Sequence, residues 1–96
     1  MHRLFYNCNQ LNSIDLSSFD TSSVTNMVET FSKCESLLSL DLSHFNTQNV
    51  ERMIDLFAYC YNLTYVELSN FNTSKVENMQ GVFYRCNEGV ILEILL

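Results

Sequence analysis

Apolar residues along this chain change their spacing within each 26 residues and then begin the same pattern again. Val24, Met27, Phe31 and Cys34 are three, four and three positions apart, which on a helix sets them along one stripe about 80° wide. The spacing predicts an amphipathic helix of about three turns. It recurs at Val50, Met53, Phe57 and Cys60, and at Val76, Met79, Phe83 and Cys86. Ahead of each stand residues able to cap a first turn: Thr21-Ser22-Ser23, Thr47-Gln48-Asn49 and Thr73-Ser74-Lys75. Ser74 and Glu77 are spaced as a capping box, and Glu29 and Lys33 as an i,i+4 ion pair on the helix surface.

After each cysteine the period falls to two. Leu37, Leu40 and Leu42 recur as Leu11, Ile14 and Leu16 and as Leu63, Val66 and Leu68, which predicts a short strand with alternate residues inward. Phe19, Phe45 and Phe71 mark the corner by which each strand leaves the core. Strands joined across a helix must be parallel. The unit of strand, corner and helix therefore predicts a curved α/β solenoid, with parallel strands on the concave face and short helices on the convex face.

The copies align Met1, Met27, Met53 and Met79; Phe5, Phe31, Phe57 and Phe83; and Cys8, Cys34, Cys60 and Cys86. Residues 1–96 at this period make about 3.7 copies, read as one domain and as a fragment of a longer array. In the last copy Gly89 takes the place of the leucine, and Leu92-Glu93-Ile94 keeps the strand pattern. Leu95 and Leu96 fall where earlier copies have Ser17-Ser18, Ser43-His44 and Ser69-Asn70, an apolar edge suited to self-association.

The pattern M-x-x-x-F-x-x-C-x-x-L-x-x-L-D-L-S-x-F-[DN]-T-x-x-V, running from Met1 to about Ile94, resembles the BspA-like leucine-rich-repeat family, in the branch with 26-residue repeats found in bacterial surface proteins and surface lipoproteins. The resemblance implies a leucine-rich-repeat solenoid displayed outside the cell, where it binds host proteins, other cells or extracellular matrix. This chain departs from that pattern in showing no secretion signal, lipobox or anchor.

Charge narrows the partners. Eleven acidic residues against five basic ones give −6, which repels nucleic acid and anionic membranes. The longest apolar run, Val90 to Leu96, is broken by Glu93 and falls short of a membrane span of about 20 residues. One cysteine per repeat, without C-x-x-C spacing, reads as a column of buried reduced thiols rather than a disulfide or zinc set.

Outward strand positions supply the candidate binding surface. One column reads Asp15, Asp41, Glu67, Glu93; it is flanked by Ser13, Ser39, Tyr65, Ile91 on one side and by Ser17, Ser43, Ser69 on the other. Stacked like charges repel by roughly 0.2–1 kcal/mol per pair, which suits either a groove for a basic segment of a partner or a solvated face that resists edge pairing. A calcium site is a third use of the same oxygens. Tyr6, Tyr59, Tyr61, Tyr65 and Tyr84 are interface anchors or rings covering core edges, while His2 and His44 read as surface residues. Asn62-Leu63-Thr64 and Asn72-Thr73-Ser74 match the glycosylation tripeptide, a pattern common by chance in so Asn- and Ser-rich a chain.

No nucleophile, base and oxyanion donor converge in the pattern, and Gly81 and Gly89 are the sole glycines, so no enzyme or cofactor is expected. The expected role is a protein-binding module. A structural spacer within a surface array, self-associating through its ends, is the alternative.

Overall fold

The computed structural model describes residues 1–89 and 91–93. Its regular elements are three short strands: β1 (Ser39–Asp41), β2 (Tyr65–Glu67) and β3 (Ile91–Glu93). They pair in parallel in the order β1-β2-β3, with Leu40 beside Val66 and Val66 beside Leu92, a constant offset of 26 residues. The alternation is as expected from the period of two: Leu40 and Val66 are buried, and Ser39 and Asp41 are exposed. Residues 11–16 of the first copy were expected to form a further strand and do not. Leu11 is exposed, and the backbone bond from Leu38 N–H to the Asn12 carbonyl, 3.2 Å, ties that segment to β1.

No helix occurs among the described residues, so the α/β solenoid with helices on a convex face is not formed. Residues 24–34, 50–60 and 76–86 are successions of turns instead. Along the second copy the N–H groups alternate between two destinations. Those of Thr30, Ser32 and Cys34 close four-residue turns onto the carbonyls of Met27, Glu29 and Phe31, at 3.2 to 3.3 Å. Those of Met27, Glu29, Phe31 and Lys33 cross to the carbonyls of Arg52, Ile54, Leu56 and Ala58 in the next copy, at 2.8 to 3.0 Å. A helix would send every one of them four residues back along its own segment.

Backbone conformation enforces the difference. Arg3, Glu29, Asp55 and Gly81 form one column of left-handed residues, and Asn7, Lys33, Tyr59 and Arg85 form another four positions on, with φ between 54° and 71°. Each such residue is third in its turn, as in type II turns, and none can belong to a right-handed helix.

The packing distance explains why turns win over the helical stripe. Phe5, Phe31, Phe57 and Phe83 stack in a file with ring centroids 5.5, 5.7 and 5.2 Å apart. Successive copies therefore lie close to strand spacing on the turn side as well as in the sheet, whereas helices need about 8–10 Å between axes. The molecule measures 29 × 27 × 25 Å.

The core is the inward column of each copy, with Met27, Phe31, Cys34, Leu37, Leu42, Val50, Leu56, Phe57, Cys60, Leu63 and Val66 wholly buried. Phe19, Phe45 and Phe71 do mark corners, each donating its N–H three residues back, to Leu16, Leu42 and Leu68. The threonines ahead of the expected helices have a different task. Thr21 and Thr47 are buried, and each hydroxyl both donates to and accepts from the backbone of the next copy, at Asn46 and Asn72. Ser74, expected as a cap, gives its N–H to Asn72 Oδ1.

Candidate functional site

Two surfaces of opposite character flank the core. On the sheet face, the backbone register sets Asp41 beside Glu67 and Glu67 beside Glu93; Asp15, at the equivalent position of the first copy, lies in a segment that forms no strand. Ser13, Asp15, Ser17, Ser39 and Asp41 are exposed, and Ser43, Tyr65, Glu67 and Ser69 are half-buried. Of these, Ser39, Asp41, Tyr65 and Glu67 share one face of the sheet by register, which is not the concave groove of a curved array.

Each acid is held by the serine two residues on. Asp15 Oδ1 accepts from the Ser17 N–H at 3.0 Å and from its hydroxyl at 2.7 Å; Asp41 Oδ1 accepts from the Ser43 N–H at 2.9 Å, and Glu67 Oε1 from the Ser69 N–H at 2.9 Å. These bonds favour the ionised form and lower the carboxyl pKa values of Asp15, Asp41 and Glu67 below their ordinary range. Burial opposes the shift, and the Asp41 charge pushes Glu67 the other way, but the serine bonds are the larger effect. Among the described residues none of the three carboxylates has a cationic partner within ion-pair distance, and no three metal-ligating side chains converge there. The Asp-x-Ser pattern was visible in the sequence, but its turn-closing role was not read from it.

The turn face is aromatic and basic. Arg3 lies 4.5 Å from the Tyr6 ring centroid and Lys33 5.5 Å from the same ring; Lys33 is also 5.7 Å from the Tyr59 ring, and Arg85 is 5.5 Å from that of Tyr84. Tyr59 meets Tyr61 and Tyr84 edge-on, at 6.2 and 5.6 Å. The expected Glu29–Lys33 pair is replaced, because the segment is not helical: Glu29 instead takes the Arg3 guanidinium at 3.2 Å. Asp55, Tyr59, Gln80, Gly81 and Tyr84 line a half-open cleft of about 420 Å³.

The cysteine column is a file of free thiols. Cys34, Cys60 and Cys86 donate to the carbonyls of Phe5, Phe31 and Phe57 at 3.2, 3.1 and 3.0 Å. Burial pushes the Cys34 thiol up to about 11, and hydrogen bonding to Cys86, then burial, pushes Cys60 up as well. Of the two glycosylation tripeptides, Asn62 gives its amide to the Glu35 carbonyl and Asn72 closes the turn to Ser74. Leu95 and Leu96, the expected self-association edge, lie outside the described residues.

Parallel copies in 26-residue register, joined by turns and sharing phenylalanine and cysteine files, define a repeat protein of the stacked parallel type. The chain belongs to the family described as "Mycoplasma protein of unknown function, DUF285", whose profile matches residues 1–89. No curated protein and no solved structure matches it.

Proposed function

We propose that this chain is a protein-binding module of the BspA-like surface type, displayed outside the cell, which holds a basic segment of a partner against the open face of its sheet. The observation that carries this is the adjacent pair Asp41 and Glu67, with Asp15 held by its serine in the same way. Three carboxylates are fixed in direction by their own serines and kept ionised, and no cation of the described chain neutralises them. Their mutual repulsion is relieved when a partner's cations approach, so recognition combines charge complementarity with the hydroxyls of Ser17, Ser39, Ser43 and Ser69 alongside.

The test is capture of an immobilised lysine-rich peptide by the wild type and by the double variant Asp41→Lys, Glu67→Lys. Binding that weakens with salt and disappears in the variant, with an unchanged circular dichroism spectrum, supports the reading. A variant that binds as well as the wild type rejects it. A second reading, a structural spacer in a surface array, is favoured by the phenylalanine stack running from Phe5 to Phe83 without a break. Under that reading the double variant alters no interaction, and Leu95→Ser with Leu96→Ser shifts sedimentation from oligomer to monomer.

A further inference from the structure

The cleft beside Tyr84 repeats, with one group missing, an arrangement that the chain completes for itself at its other end. Tyr6 and Tyr84 occupy the same position of the repeat, three copies apart. Three residues before Tyr6 stands Arg3, whose guanidinium lies over the ring at 4.5 Å. That guanidinium also forms a fork onto the carboxylate of the neighbouring copy, with Nε and a terminal nitrogen 3.3 and 3.2 Å from Glu29 Oε1. Three residues before Tyr84 stands Gly81, and the acid of the column there lies in the preceding copy, Asp55, where the partner of Arg3 lies in the following one. Ring and carboxylate are both present, and the guanidinium is not.

The space it would occupy is the cleft of about 420 Å³ lined by Asp55, Tyr59, Gln80, Gly81 and Tyr84. The Asp55 carboxylate has no hydrogen-bond or ion-pair partner among the described residues. Gly81 lets the Asp55 carboxylate lie against the backbone at the edge of this cleft, because a Cβ there would overlap Asp55 Oδ1 and stand 3.2 Å from its Cγ. Arg85, 5.5 Å from the Tyr84 centroid with Nε bonded to the hydroxyl at 3.2 Å, does not close the site to a second cation. Tyr6 shows this directly, since it carries Lys33 at 5.5 Å as well as Arg3.

We infer that this cleft is a subsite for an arginine side chain of a protein partner, stacked on Tyr84 and paired with Asp55 as Arg3 is stacked on Tyr6 and paired with Glu29. The inference rests on the reading of the chain as a protein-binding module, but it places the contact on the turn face rather than on the sheet. A planar guanidinium is selected over an ammonium because stacking and a two-pronged carboxylate contact are needed together.

Titration of the full chain with N-acetyl-arginine amide, followed by backbone amide shifts in NMR, tests it. Saturable shifts at Asp55, Gly81 and Tyr84 are expected, with smaller ones from N-acetyl-lysine amide. Asp55→Asn is expected to weaken binding about fivefold, the upper range for an exposed ion pair. Asp55→Ala, which removes the carboxylate altogether, is expected to abolish the saturable shifts, with a circular dichroism spectrum unchanged from wild type. Equal response to the lysine probe, unchanged affinity in Asp55→Asn, or shifts at Asp41 and Glu67 in place of the cleft each overturn the subsite. The last of these leaves the acidic stripe standing, whereas failure of the stripe variants to lose peptide does not touch this titration.

Discussion

The Thr47 hydroxyl donates to the Asn72 carbonyl at 3.1 Å and accepts from the Asn72 N–H at 2.8 Å, so a single side-chain oxygen satisfies both backbone groups of a residue one copy away. Thr47→Val keeps the shape and leaves both groups unpaired beside a buried site, which is expected to cost about 2 kcal/mol in urea unfolding. Thr73 occupies the same column but is exposed, and Thr73→Val is expected to stay within about 0.5 kcal/mol of wild type.

Phe57, like Phe31, has a stacked neighbour on both sides, Phe31 at 5.7 Å and Phe83 at 5.2 Å, and is wholly buried. Phe57→Ala opens a cavity and cuts the file in two, for an expected loss of about 3–5 kcal/mol. Phe5→Ala removes a half-buried terminal ring and should lose less by the same denaturant measurement.

Reactivity should divide the four thiols by position. Cys34 and Cys60 are fully buried and held protonated, whereas Cys8 and Cys86 are half-buried. Iodoacetamide on the native protein, followed by peptide mass spectrometry, is expected to label Cys8 and Cys86. Cys34 and Cys60 should react only after unfolding.

Acid should destabilise the fold through the serine-held carboxylates. The folded pKa values of Asp15, Asp20, Asp41 and Glu67 lie below the ordinary 3.8 and 4.5, so their contribution is complete above those values and is lost as pH falls through the lower, folded ones. The melting temperature is expected to fall over that acid interval. Ser17→Ala with Ser43→Ala should flatten the profile by removing the hydroxyl bonds while leaving those of the backbone N–H groups.

The equivalence of Leu40 with Val66, of Phe31 with Phe57 and of Asp41 with Glu67 could be read from the chain alone, because identical residues at a constant interval must pack alike once copies lie side by side. The parallel register of Asp41, Glu67 and Glu93 followed from that equivalence. The state of residues 24–34 did not. Valine, methionine, phenylalanine and cysteine at three, four and three positions fit a helical stripe and equally fit the inward positions of successive turns, so periodicity cannot separate the two. The choice was made between copies: at a ring spacing of 5.2 to 5.7 Å there is no room for a helix, and alternate N–H groups found carbonyls in the next copy instead of in their own segment. The pairing of Arg3 with Glu29, and the close approach of Asp55 to Gly81, exist only in that arrangement, since each joins residues 26 positions apart that sequence spacing alone does not bring into contact.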